Sequence, residues 1–162
     1  IPKRRITYPP KQHFAPLNLD RMQFWIDQGR IDASKPITAR ELYESRCVHR
    51  VRDGVKLLAD GKEHLRTPVN LVVSRASHAA IAAVEQAGGS IVCRYYNATS
   101  LRALVMPHKW LAKNEPLPHF ADPVSQSDLL WYSSPNNRGY LALRDRVAAA
   151  SPSSPASSNS SS

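Results

Sequence analysis

Three observations predict an α/β fold. Two short stretches carry paired helix-start signals, Asp20 with Gln23 and Thr38 with Glu41. Two β-branched runs, Val55 to Leu58 and Val69 to Val73, have strand composition. An Ala-rich segment with helical apolar spacing stops at Gly88 and Gly89 and leads into the apolar run SIVCRYY.

Taken in order, residues 1–16 (IPKRRITYPPKQHFAP) hold four prolines and no glycine. Proline removes backbone donors and biases its predecessor away from helix, so this stretch is expected to be an extended basic arm. Asp20 and Gln23 form a capping box on paper, with Leu19 and Phe24 as the hydrophobic staple, for a helix from about Arg21 to Gln28 stopped at Gly29. Thr38 and Glu41, flanked by Ile37 and Leu42, start a second helix ending near Arg46. The two strand runs follow, separated by a polar turn at Asp60, Gly61 and Lys62. Ala80, Ile81, Val84 and Ala87 then fall on one helical face behind capping serines. Beyond the strand SIVCRYY, Ser100 to Val105 is expected to be a short helix. Asp122 with Pro123 in its first turn should start another, running to about Tyr132. From Ser151 the sequence SPSSPASSNSSS has too little to bury to offset its ordering entropy and is expected to be a disordered tail. The organisation expected is therefore an arm at 1–16, an α/β core at 17–96, a Pro-rich extension at 97–150 and a Ser-rich tail at 151–162.

The chain has 162 residues, one domain of ordinary size with extensions, and a net charge of +9. No apolar run approaches the roughly 20 residues of a membrane-spanning helix, so no membrane insertion is expected. The charge points to a polyanion, nucleic acid before membrane surface. It is concentrated in three blocks: +4 in residues 1–16, +3 in 46–56 and +3 in 94–120. Lys3, Arg4, Arg5 and Lys11 make the first block; Arg46, Arg50, Arg52 and Lys56 dominate the second; Arg94, Arg102, Lys109 and Lys113 dominate the third. Guanidinium groups on irregular backbone suit RNA phosphates, with Tyr8, His13, Phe14, Tyr95 and Tyr96 nearby as stacking candidates.

Enzymatic readings find little support. The six histidines fall into no H-x-x-x-H or H-E-x-x-H spacing and are read as surface residues. No G-x-S-x-G elbow is present, and Gly88–Gly89 follows a helix where a phosphate loop would precede one. Cys47 and Cys93 are distant from each other, belong to no C-x-x-C pair, and are expected to be buried structural thiols. No catalytic constellation, metal site, cofactor or small-molecule substrate is expected. Residue 1 is Ile, so a trimmed or processed chain is expected.

Six pieces in order carry a family resemblance: IPKR (Ile1–Arg4), LNLDRMQFWIDQGRID (Leu17–Asp32), ITARELYESRCV (Ile37–Val48), GVKLLADG (Gly54–Gly61), RTPVNLVVSRAS (Arg66–Ser77) and AAIAAVEQAGGSI (Ala79–Ile91). Together they resemble the L-fifteen family of large-subunit ribosomal proteins. The continuation through YYNATSLRALVMP and NNRGYLA (Asn136–Ala142) resembles the extension of that family's mitochondrial members. The resemblance implies an irregular ββα core, a basic N-terminal extension threading into large-subunit rRNA, a structural role in subunit assembly, and neither catalysis nor cofactor. It implies a place in the mitochondrial matrix, with rRNA and neighbouring mitochondrial large-subunit proteins as partners. Lys3 and Arg4 match the family's basic PKR pair, and Arg75 lies where members often place a basic residue at the start of the helix ending in AGG. The Gly-rich basic segment that precedes PKR in the family is absent from this sequence. The RNA-binding residues expected are thus Lys3, Arg4, Arg5, Lys11, Arg46, Arg50, Arg52 and Arg75. The rival readings are a free RNA-processing or ribosome-assembly factor and a small metabolic enzyme.

Overall fold

A computed structural model of the chain describes residues 11–150. The basic arm up to residue 10 and the Ser-rich tail at 151–162 lie outside the described residues. The described part is a mixed α/β structure with two small parallel sheets. In the first sheet, β2 (Val55–Leu58) lies between β1 (Ala15–Asn18) and β4 (Arg75–Ala76). In the second, β3 (Asn70–Val73) pairs with β5 (Ser90–Cys93). The predicted strand, strand, helix order is present, but its two strands belong to different sheets.

Parallel pairing requires a crossover, and α3 (His78–Gln86) supplies the one between β3 and β5. Ser77 caps it by accepting a hydrogen bond from the Ala80 N–H at 3.2 Å. At its other end the Gly88 N–H donates to the Glu85 carbonyl and the Gly89 N–H to the Val84 carbonyl, each at 3.0 Å, with Gly88 at φ +87°. A Cβ on Gly89 would collide with the Val69 backbone, so the second glycine lets α3 turn tightly onto β3.

The helix α2 (Ala39–Glu44) begins as expected: the Thr38 side chain accepts from the Arg40 N–H, and the Glu41 carboxylate accepts from the Thr38 N–H at 2.8 Å. Ile37 and Leu42 are fully buried. The start of α1 (Leu19–Asp27) departs from expectation. Its N-cap is Asn18, and neither the Asp20–Gln23 box nor the Leu19–Phe24 staple forms. Gln23 is only 3% exposed because its amide joins long-range bonds, donating to Asp27 and Thr67 while its carbonyl accepts from the Arg66 and Thr67 N–H groups. Phe24 points outward at 54% exposure. Gly29, at φ +73°, ends this helix as predicted.

After β5 come α4 (Ala98–Val105), α5 (His108–Leu111), α6 (Gln126–Ser133) and α7 (Tyr140–Ala150). Asp122 does not start the helix before Tyr132; its carboxylate accepts from the Tyr140 hydroxyl at 2.8 Å and lies 3.4 Å from Arg144, and the helix begins one turn later. SIVCRYY is strand only as far as Cys93. This C-terminal region is docked on the core at three points. Gly139 bridges Cys93, Arg138 forks onto Glu85 at 2.6 and 3.1 Å, and the buried Tyr132 hydroxyl donates to the Ser74 carbonyl at 2.8 Å. One apolar cluster runs from Ala15 to Leu141 through both sheets. No helix among the described residues is long and apolar enough to cross a membrane.

Candidate nucleic-acid interface

Lys3, Arg4, Arg5 and Tyr8 lie outside the described residues. Lys11, Arg46, Arg50 and Arg52 are all exposed. The chain entering β1 is pinned beside the loop that carries Arg50 and Arg52. The His13 N–H donates to the Asp53 carboxylate at 2.7 Å, the Asp53 N–H to the His13 carbonyl at 3.1 Å, and Phe14 bridges Arg52. Lys11 thereby shares a hollow of about 210 Å³ with Asp53, Tyr96 and Leu101.

A larger groove, of about 540 Å³, opens next to it. His49, Arg50 and Arg52 come from the loop after α2, Arg102 from α4 and Lys109 from α5. Val51, Leu101 and Val105 are buried beneath them, while Tyr43 and Met106 are half-buried in the same groove. Ala98 and Leu101 line both this groove and the Lys11 hollow. Tyr43 and His49 are shared with a third hollow that holds Arg46. The three depressions are therefore neighbours on one face. Packing of α2 against α4 brings together charge blocks about fifty residues apart in sequence. Arg102 and Lys109 were not among the residues expected from the sequence, although the charge block at 94–120 was their signal.

Among the described residues, the carboxylates pair with other cations: Asp32 with Lys35, Glu44 with Arg40, Asp27 with Arg66, Asp128 with Arg75, Glu85 with Arg138 and Asp122 with Arg144. No ion pair in that set involves Lys11, Arg46, Arg50, Arg52, Arg102 or Lys109, and no acidic residue lines the 540 Å³ groove. Two of these cations also occupy strained backbone. Arg46, just past the C-cap of α2, has φ +61°, and Arg52 has φ +53°. The left-handed region costs a residue with a Cβ about 1–2 kcal/mol, and glycine usually takes such places. Retaining arginine there fits a function for the side chain.

Arg75 is placed differently. It sits in β4 with its side chain 24% exposed, and its guanidinium meets the Asp128 carboxylate, 12% exposed, at 2.8 Å. Its charge lies over the rings of Trp131 (4.7 Å), Phe14 (5.2 Å) and Tyr132 (5.9 Å). Gln12 reaches the same carboxylate at 3.4 Å. Arg75 thus joins α6 to the sheet. The predicted stacking rings are also engaged internally: Phe14 by Arg75, Tyr95 edge-on to Tyr132, and the buried Tyr96 edge-on to Phe120.

The six histidines are exposed and both cysteines are buried and free. Burial pushes the Cys93 thiol up to about 12 and raises that of Cys47, which disfavours the reactive thiolate in both. Among the described residues, no group of three or more His, Cys, Asp or Glu side chains gathers to hold a metal ion.

An uncompensated basic face on a mixed α/β scaffold is the geometry of a nucleic-acid-binding protein. Residues 16–92 match the family model described as ribosomal proteins 50S-L15 and 50S-L18e with their 60S counterpart, and the chain belongs to this family. It is similar to the large ribosomal subunit protein uL15m of Neurospora crassa, 41% identical with 78% of this chain and 47% of the relative covered. The uL15m of Danio rerio is 43% identical, with 85% of this chain and 47% of the relative covered. The large ribosomal subunit protein uL15 of Paramagnetospirillum magneticum is 47% identical, with 56% of each covered. The chain spans about half the length of these relatives.

Proposed function

We propose that this chain is a structural constituent of the mitochondrial large ribosomal subunit, residing in the mitochondrial matrix, where it binds large-subunit rRNA and supports subunit assembly for translation. The observation that carries the reading is the extent of the similarity. Relatives named uL15m align with 78% and 85% of the chain, whereas the bacterial uL15 aligns with 56%. The added coverage favours the mitochondrial type over the bacterial one.

The binding is electrostatic and shape-dependent. Arg50 and Arg52, with Arg46 and Lys11 on either side, neutralise phosphates on the face described above. Residues 1–16 continue it as a basic arm through Lys3, Arg4 and Arg5. Residues 17–96 act as the rigid core. Residues 97–150 act as a Pro-rich extension that contributes Arg102 and Lys109 and meets neighbouring large-subunit proteins. Arg75 serves this face indirectly, by holding α6 against the sheet. No cofactor, small-molecule substrate or chemical step enters the proposal.

A salt titration of RNA binding tests the mechanism. Each phosphate contact releases condensed counterion, so replacing both Arg50 and Arg52 by Ala should lower the log–log salt slope by about 2 and weaken binding at every salt concentration. An unchanged slope in a filter-binding assay would remove these two residues from the interface.

A further inference from the structure

The 540 Å³ groove has a property that phosphate contacts alone do not need. Its rim is cationic and carries no carboxylate, while its floor is apolar: Val51, Leu101 and Val105 lie buried below Met106 and the ring of Tyr43. A duplex keeps its base faces stacked inside and presents phosphate and sugar, which would leave that floor uncovered. An unstacked base offers a flat apolar face a short distance from its own phosphate, and the groove falls within the roughly 300–1,000 Å³ of sites that take a small molecule. Resting on the RNA-binding reading above, we propose that this groove takes one unstacked nucleotide of a single-stranded or looped RNA segment. Its base lies on the apolar floor beside Tyr43, and Arg50, Arg52, Arg102 and Lys109 hold the adjoining phosphates. The hollows carrying Lys11 and Arg46 adjoin the groove, which gives successive phosphates a track. An acidic side chain of a protein partner would use only the middle of that track.

The test uses the full chain and fluorescence anisotropy with three RNA probes of about ten nucleotides: a base-bearing single strand, an abasic ribose-phosphate strand of the same length, and a duplex. The base-bearing strand should bind about tenfold more tightly than the abasic strand, the contribution of roughly one stacked base. Tyr43→Ala should abolish most of that preference without weakening the duplex, and Tyr43→Phe should retain it. Arg102→Ala, at an exposed position, should weaken the base-bearing strand several-fold. Equal affinity for the base-bearing and abasic strands would overturn the nucleotide proposal while leaving the RNA-binding reading standing. Absence of binding to all three probes would overturn both. A base preference that survives both Tyr43→Ala and Arg102→Ala would remove it from this groove, the result expected if a protein partner occupies the site. If Tyr43→Ala fails to fold, the comparison of base-bearing and abasic strands and the Arg102→Ala variant decide the matter.

Discussion

Replacing Arg75 by Ala separates a structural role from an RNA-binding one. The substitution removes a 2.8 Å ion pair whose two side chains are 24% and 12% exposed, and it strands the Asp128 carboxylate beside Tyr132 and Trp131. Breaking a buried pair from one side costs about 3–5 kcal/mol, and the remaining solvent access at Arg75 places this case near the lower limit. The close approach to Trp131 adds about 0.5–1 kcal/mol. The buried Arg75 Nε lacks a hydrogen-bond partner among the described residues, which offsets a similar amount when it is removed. The expected loss is about 3 kcal/mol, a drop in Tm of roughly 9–12 °C for a domain of this size. Thermal melts followed by circular dichroism, completed as a double-mutant cycle with Asp128→Asn, measure both the loss and the coupling. RNA affinity, measured well below the melting transition, should be unchanged. A variant that melts within about 1 °C of the parent but loses RNA binding would refute the reasoning and return Arg75 to the interface.

Arg46→Gly relieves a left-handed backbone, so it should raise stability by about 0.5–1 kcal/mol while weakening RNA binding; a urea titration that shows destabilisation would contradict the strain argument. The Glu85 carboxyl is held below its ordinary value of 4.5 chiefly by the hydrogen bond from Arg138, so its contribution is present above about pH 4.5 and fades as pH falls through the lowered folded-state value. The difference in urea midpoint between the parent and Glu85→Gln should therefore be largest at neutral pH and shrink in acid. A difference that stays constant with pH would show that the ion pair adds nothing.

Local signals were legible in the sequence, and signals that a distant residue could override were not. Thr38 and Glu41 form their capping box because both partners lie within one turn. Asp20 and Gln23 carry the same spelling, but the backbone N–H groups of Arg66 and Thr67 claim the Gln23 amide from more than forty residues away. Asp122 is diverted in the same manner by Tyr140 and Arg144. The strand β1 was hidden by Pro16, which the edge of a sheet tolerates because one side of the strand needs no donor. At the site, the loop cations Arg46, Arg50 and Arg52 could be picked out by their irregular, basic context. Arg102 and Lys109 could not be joined to them, because only the packing of α2 on α4 makes the two charge blocks neighbours. Arg75 was misleading for the opposite reason. Its partner Asp128 lies 53 residues further on, and nothing in the sequence links the two.

Sedimentation of a mitochondrial extract through a sucrose gradient, with detection of this chain in each fraction, tests the central claim most directly. The chain should travel with the large subunit in amounts stoichiometric with its other proteins and leave it only at salt concentrations that strip RNA contacts. A chain that sediments apart from mature large subunits, or that is absent from mitochondria, would contradict the account and favour a free assembly or RNA-processing factor.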